Sequence, residues 1–339
     1  MRRNLSTWRV GLALALCIGA IGARPASAEL DGYGPFPVRN FQVIQLMFLG
    51  MQGDRAAVIK KGALDVRVEL AETSSIFDET SPNISAKIKL EQLRSGVFLR
   101  YGLTDRLEVA MEIPAIYRYQ GFMNGMISQV ERLTSGLSPA RASLKNTGFA
   151  YNLSRNGQTL FSGGDGQLGL GDITLYGKYQ MVKEQAWIPA VSLRLAAKVP
   201  SGDEGRFFGS GHADFGAGVA LEKKVVDRVI LYGNFNGMLP TGPVSGLSVN
   251  PSISAIAAAE YLWTRAFSLV VQFDYYSSPF RNTGTDILDR GVTEIAVGYN
   301  YRLRPELIWQ VYGIENLDFT RGSAADFTLS TLVTYQFGR

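Results

Sequence analysis

Residues 190–199 read Ala-Val-Ser-Leu-Arg-Leu-Ala-Ala-Lys-Val. Val191, Leu193, Leu195, Ala197 and Val199 fall on one side of a period of two, and Ser192, Arg194 and Lys198 on the other. Successive side chains of an extended strand point to opposite faces, so this stretch has one apolar face and one face that carries two cations. The alternation returns along the chain. Leu64, Val66, Val68 and Leu70 oppose Asp65, Arg67 and Glu69, and Ile173, Leu175, Tyr179 and Met181 oppose Thr174, Tyr176, Lys178 and Gln180. Near the end, Phe327, Leu329, Val333, Tyr335 and Phe337 oppose Thr328, Ser330, Thr334 and Gln336. Half-polar strands of this kind build either a two-sheet sandwich or a membrane barrel.

The connections separate the two. Short links at 102–105, 183–187, 224–228, 262–265 and 302–305 alternate with long Gly/Pro/Asn/Asp-rich stretches at 73–85, 114–167, 200–212, 240–250, 277–290 and 316–325. Outer-membrane barrels have short periplasmic turns and long extracellular loops in that alternation; a sandwich has no reason to keep it. The pattern predicts an all-β fold, a transmembrane antiparallel up-and-down β-barrel of about 12 strands. These run near 63–73, 86–101, 106–117, 168–181, 187–199, 213–223, 228–238, 252–262, 266–276, 291–301, 306–315 and 326–337. An even number places both ends on the periplasmic side. Aromatic residues collect at strand ends (Tyr101, Tyr117, Tyr119, Trp187, Tyr261, Trp263, Tyr275, Tyr276, Tyr299, Tyr301, Trp309, Phe319), where amphipathic rings suit the water–lipid boundary. Tyr335 and Phe337 close the chain as a terminal strand similar to the signal read by the barrel assembly machinery, two residues short of the last position.

The N-terminus reads as an export signal. Arg2, Arg3 and Arg9 precede the apolar run Val10 to Ile21, and Ala26-Ser27-Ala28 gives a small-x-small cleavage pattern. Residues 1–28 are therefore expected to be a cleaved Sec signal peptide, which takes with it Cys17, the one cysteine of the chain. Those residues also hold four arginines and no acid; removing four from 34 bases leaves 30 bases against 30 acids. The apparent basicity lies in the signal, which removes the electrostatic argument for nucleic-acid binding. Phe41 to Leu49 also reads as apolar and extended, but counting it as a strand would make the number odd. Residues 29–62 are assigned to an N-terminal extension, periplasmic or tucked into the lumen as a plug, before a barrel spanning 63–339. The expected partners are outer-membrane lipid, the barrel assembly machinery, periplasmic chaperones and a small solute.

A cation in the lipid band costs about 2–4 kcal/mol at the midplane, so the charged faces must turn inward. The luminal candidates are Asp65, Arg67, Glu69, Lys87, Lys89, Glu91, Arg100, Glu108, Glu112, Lys178, Arg194, Lys198, Asp214, Glu222, Glu260, Asp274 and Glu294, with Tyr176, Tyr232 and Tyr312 among them. Mixed signs on neighbouring strands fit a polar conduit and equally a salt-bridge network that plugs a narrow barrel. Around 90–96 the run Glu91-Gln92-Leu93-Arg94 breaks the alternation as a bulge would. The long external loop 114–167 exceeds the length of an idle connection. Within it Phe122, Met126, Val130 and Leu133 recur at helical spacing, which predicts an amphipathic helix that folds into the mouth as a lid or lies on the outer leaflet. Asn156-Gly157 marks a hairpin.

Little in the sequence carries chemistry. There is no phosphate-binding loop, Walker pattern or metal-ligand cluster, so no cofactor is expected; Gly163-Gly164-Asp165-Gly166 has too few carboxylates for calcium. His212 is the only histidine, and Ser210, His212 and Asp214 alternate onto one face. Barrel-type lipid hydrolases use such groups, but neighbours two apart on one strand sit about 6.5–7 Å apart, poor geometry for a relay.

Several motifs are similar to a proteobacterial family of outer-membrane proteins known only as a domain of unknown function. They are Gly34-Pro35-Phe36-Pro37-Val38-Arg39-Asn40, Leu99 through Glu108, Glu112-Ile113-Pro114, Gly121 through Ile127 and Gly169-Leu170-Gly171-Asp172. The resemblance implies a barrel fold and an outer-membrane location, and assigns no catalytic residue. Gly-Leu-Gly-Asp followed by Val199-Pro200-Ser201-Gly202-Asp203 also looks like barrels linked to uptake of aromatic compounds. The leading expectation is a channel for small solutes, hydrophobic or aromatic ones among them. The rivals are a closed structural barrel acting through its loops and a lipid-modifying enzyme using His212.

Overall fold

The computed structural model describes residues 31–134, 136–317 and 324–338; the signal segment 1–28 and Phe319 lie outside them. Fifteen strands form one antiparallel sheet. They are β1 (Leu64–Thr80), β2 (Ile84–Gly102), β3 (Leu107–Tyr119), β4 (Ala150–Arg155), β5 (Gln158–Ser162), β6 (Gln167–Leu170), β7 (Ile173–Val182) and β8 (Ala190–Val199). After them come β9 (Asp214–Val226), β10 (Val229–Pro240), β11 (Ser252–Leu262), β12 (Phe267–Tyr276), β13 (Val292–Arg304), β14 (Leu307–Asn316) and β15 (Phe327–Phe337). The ring closes because β1 pairs on one side with β15, from Leu64↔Phe337 to Ser74↔Phe327, and on the other with β2. Strand β3 continues from β2 to β7. Twelve strands make the closed barrel, so every ring strand has two neighbours and no open edge remains.

Three strands stand outside the ring. The Asn156-Gly157 turn, with both residues at positive φ, folds β4 and β5 into a hairpin that pairs with the distal part of β2. Strand β6 lies against the distal part of β3. Both additions rise at the long-loop end. The predicted strand 168–181 is thus two, broken at Gly171-Asp172: Gly171 donates to Pro114 O, and the Asp172 carboxylate accepts from the amides of Ser201, Gly202 and Ser210. Binding those amides removes Asp172 from the ladder.

The expected long connection 73–85 is instead a tight turn of residues 81–83. Asp78-Glu79-Thr80 has no apolar face, yet it stays paired to the end, Thr80↔Ser85. It projects beyond the ring, where alternation is no longer needed. The bulge expected near Glu91 does not occur either: β1 and β2 stay in register from Leu64↔Tyr101 to Thr80↔Ser85. That unbroken register fixes which side chains point where. Lys87, Lys89 and Glu91 share the outward face with Val97 and Tyr101, and Gln92, Arg94, Phe98 and Arg100 point inward. Three predicted luminal residues, Lys87, Lys89 and Glu91, are therefore on the outside; Lys89 donates to Leu144 O and Thr147 O of the long loop, and Glu91 accepts from Phe122 N.

Elsewhere the outward positions are apolar and exposed, among them Leu175, Leu193, Leu195, Phe215, Leu231, Phe235, Ile253 and Phe273. At the short-turn end they pass into a ring of aromatics. Tyr261 meets Trp263 edge-on at 6.0 Å, Tyr299 meets Trp309 at 5.7 Å, and Tyr335 lies 4.5 Å from Phe337. Tyr276 departs from the predicted girdle and points inward, buried.

Candidate functional site

The barrel interior is occupied by the chain's own N-terminal segment. Residues 31–62 contain one short 3-10 turn, Gln45–Met47, and no strand. A backbone without a sheet partner must find other partners for its amides and carbonyls when it is buried. Here the inward side chains of the wall supply them, and the path of the segment can be followed through those bonds.

It starts at the short-turn end. Tyr33 Oη donates to Arg265 O in the turn between β11 and β12, and the amides of Tyr33 and Gly34 donate to the Glu260 carboxylate. Gln272 then acts as a surrogate strand, accepting from Phe36 N at 2.8 Å and donating to Phe36 O at 3.1 Å. Phe36 stacks on Tyr312 with centroids 4.4 Å apart. Further up, Gln92 donates to Phe41 O. At the top Lys198 Nζ donates to Met47 O at 2.7 Å, and Asp214 accepts from Leu49 N at 2.8 Å. The chain descends again past Arg194, which donates to Gln52 O, and Asn234, which brackets Asp54 by accepting from its amide and donating to its carbonyl. Lys178 holds Arg55 O, and Glu108 accepts from Ile59 N. Gly62 N donates to Gly102 O, back at the short-turn end. The segment is therefore a luminal hairpin, a strap that rises, turns and returns.

Ion pairs pin its flanks. Arg39 meets Glu112 at 2.7 Å; Glu112 also takes Arg94 at 2.6 Å, and Arg94 takes Glu69 at 2.8 Å. Asp54 sits between Arg100 and Lys178, each at 3.0 Å, and Lys178 reaches Glu108 at 2.9 Å. Arg55 pairs with Glu222. Burial alone would push the Asp54 carboxyl up, but Arg100 and Lys178 beside it hold it well below the usual carboxylate range. Arg67 is different. Its guanidinium lies over the Phe98 ring at 4.3 Å, and among the described residues it makes no ion pair within 4.0 Å.

The turn of the strap is buried differently. Val43, Ile44 and Met47 pack with Ile84, Ile88 and Leu90 of β2, Leu153, Leu160 and Phe161 of the β4–β5 hairpin, and Val244, Leu247, Phe280, Ile287 and Leu288 of two long loops. Phe48 meets Phe280 edge-on at 5.3 Å. This apolar cap covers the long-loop mouth. Among the described residues, small interior cavities flank the strap, of about 20, 60 and 80 Å³. The smallest has room for about one water molecule and the others for a few.

The predicted luminal residues Asp65, Arg67, Glu69, Arg100, Glu108, Glu112, Tyr176, Lys178, Arg194, Lys198, Asp214, Glu222, Tyr232, Glu260, Asp274, Glu294 and Tyr312 all take inward positions; Lys87, Lys89 and Glu91 do not. The lid residues are also elsewhere. Phe122, just before the helix Met123–Thr134, and Met126 and Leu133 on it are exposed, Val130 is half-buried, and the helix does not enter the mouth. Ser210 and Asp214 are both held by Lys198, whose Nζ donates to Ser210 Oγ and lies 3.3 Å from Asp214. His212 touches Ser210 through its backbone, while its ring lies against Gly242. The three side chains do not form a relay. Tyr335 and Phe337 face outward on β15, paired with Val66 and Leu64. Sequence reasoning overlooked Arg39, Gln52 and Asp54 on the strap and the wall amides Gln92, Asn234, Asn236 and Gln272. The amides sit at inward parity without charge; that run of neutral amides was the available signal.

No curated protein matches the sequence. Among solved structures, the COG4313 outer membrane channel from Pseudomonas putida F1 is similar at 14% identity and a TM-score of 0.57, covering 83% of this chain and 98% of that one. A NanC porin is similar at 11% identity and a TM-score of 0.46, covering 80% and 98%. The toluene transporter TbuX of Ralstonia pickettii follows at 11% and 0.40, covering 82% and 90%. At 14% identity the likeness to the COG4313 channel is one of fold, that of an outer-membrane barrel. Residues 12–337 match the family described as "Protein of unknown function (DUF3187)", and the chain belongs to that family.

Proposed function

We propose that this protein is a strap-gated outer-membrane channel for small solutes, with the short-turn end and both chain ends on the periplasmic side. The observation that carries the reading is how the strap is held. Its carbonyls and amides are bound one by one by side chains of the wall, through Gln272, Lys198, Asp214, Arg194, Asn234 and Glu108. A net gain of about 0.5–1.5 kcal/mol for each such bond lets the strap shift piecemeal while the wall ladders stay intact. The wall side chains that bind the strap backbone are polar and face the axis, between apolar inward residues such as Ile230, Val270, Ile314 and Leu332 that pack on Phe36, Val38 and Phe41, so the path exposed is charged and tyrosine-containing with apolar patches. Such a lining favours polar or aromatic solutes with a polar handle over plain hydrocarbon.

A second reading has its own observation. The apolar cap over the long-loop mouth favours a closed barrel that acts through its loops. One experiment divides the two. The chain is refolded and inserted in a planar lipid bilayer, and its conductance is compared with that of a variant lacking residues 36–56. The channel reading expects small or infrequent steps from the intact chain and large, frequent steps from the variant. Silence from both, with the barrel folded, supports the closed reading.

A further inference from the structure

The helix Met123–Thr134 lies on the exterior of the barrel wall. Two outward residues establish this. Glu91 shares its face of β2 with Val97 and Tyr101, which are 37% and 43% exposed, yet Glu91 is 0% exposed. Ser74 shares its face of β1 with Val68 and Leu70, and it too is 0% exposed. The helix covers both. Glu91 accepts from the amides of Phe122, Met123 and Asn124 at 2.7, 2.9 and 2.6 Å, capping the helix start where unpaired amides favour an anion. Ser74 Oγ donates to Asn124 Oδ1. Arg141 fastens the same side through Asn124, Glu131 and Asp326. The polar edge of the helix is therefore spent against the protein.

The opposite edge is apolar and open. Phe122 and Met126 are each 62% exposed and Leu133 86%. It continues into the outward aromatics of β3: Tyr117 stacks with Tyr119 at 5.1 Å, and both border a notch with Phe122. Ser74 is four residues beyond Leu70, about 13 Å along the strand, which sets the helix at the upper margin of the outward apolar band. Arg132, on the exposed side, adds a cation at that level.

We propose that this helix is a membrane-surface element, lying along the outer leaflet with Phe122, Met126 and Leu133 in the head-group and acyl boundary of anionic lipid. The occupant follows from continuity, because the edge extends the wall's lipid-facing surface and faces away from the mouth. Amphipathic helices of this kind bury their apolar face about 5–10 Å into that boundary. The proposal rests on the reading of the barrel as membrane-spanning.

The test uses full-length chain with Cys17→Ala, refolded into vesicles of phosphatidylethanolamine and phosphatidylglycerol, and one nitroxide label at a time. The labels go on Met126→Cys, on Leu195→Cys of the wall and on Thr159→Cys of the β4–β5 hairpin. Power saturation compares access to oxygen, which concentrates in lipid, with access to a water-soluble nickel chelate. The expected result is a shift of the Met126 label to the oxygen-rich ratio of Leu195, with Thr159 remaining in the aqueous range. A Met126 label that matches Thr159 while Leu195 is in lipid overturns the helix placement alone. An aqueous ratio at Leu195 overturns the membrane-spanning reading and the helix placement with it.

Discussion

The wall and the strap solve the same problem by different means. In the wall, each strand's backbone groups are paired with two neighbouring backbones, and closure leaves no edge. In the strap, a buried backbone of similar need is paired with side chains: Gln272 at Phe36, Lys198 at Met47, Arg194 at Gln52, Asn234 at Asp54. A ladder cannot be edited residue by residue, since every residue type offers the same amide and carbonyl. A side-chain cradle can. Inside this barrel, the wall's sequence at inward positions sets how firmly the strap is held, while the barrel's existence depends on the outward pattern.

The largest break in that comparison is expected at Glu112, which serves Arg39 of the strap and Arg94 of the wall together. Glu112→Ala leaves two buried guanidinium groups short of a counter-charge. Removing one partner of a buried pair costs about 3–5 kcal/mol, and the loss is expected as a lower denaturant midpoint together with protease cleavage within 36–56. An unchanged midpoint would mean that the strap is held without this pair. Gly216 offers a steric version. A Cβ there would meet Met51 Sδ at 2.7 Å and Leu49 Cδ2 at 2.9 Å. Gly216→Leu is expected to displace the strap locally at an overpacking cost of about 1–3 kcal/mol, with more frequent conductance steps and normal barrel mobility on gels. Loss of the barrel itself would show that wall and strap are not separable.

The smallest effect concerns acid. With its carboxyl held below the usual range, Asp54 contributes stability that is complete above its unfolded value and is lost as pH falls toward the depressed folded one. The Asp54 share of strap closure is therefore expected to be flat from pH 7 to about 5 and to weaken progressively below about 4. Conductance against pH reads this, and Asp54→Asn should start weaker and lose that part of the acid response. A parallel acid curve in the variant would remove Asp54 from the explanation.

The wall was legible in the sequence because lipid on one side and polar contents on the other impose a period of two. Where that pressure lapses, reading fails for a physical reason. Ser75 to Thr80 is strand paired only with β2 that projects past the ring, so it looks like a loop. Around Glu91 the parity reverses in appearance, because an outward carboxylate is neutralised by helix amides and needs no lumen. Lys87 and Lys89 were drawn inward by the same appearance. In residues 31–62 the run Phe41 to Leu49 looks apolar and extended without a clean alternation, since a strap bound by side chains has no ladder to impose one. The inward parity of Glu112, Lys178, Arg194 and Lys198 could be read from the sequence; that they grip a segment of their own chain could not, because pairing at sequence separations such as 73 or 151 residues leaves no local trace.

The strap enters and leaves the barrel at one end, with Tyr33 against the Arg265 turn and Gly62 against Gly102. Its topology is that of a bight of rope in a sleeve. No chain terminus has to thread the ring for it to be inserted or withdrawn, and the cylinder can close either around it or before it. On the channel reading proposed above, filling and emptying the lumen would be the same motion run in opposite directions, with the two fixed points of the bight as its hinge.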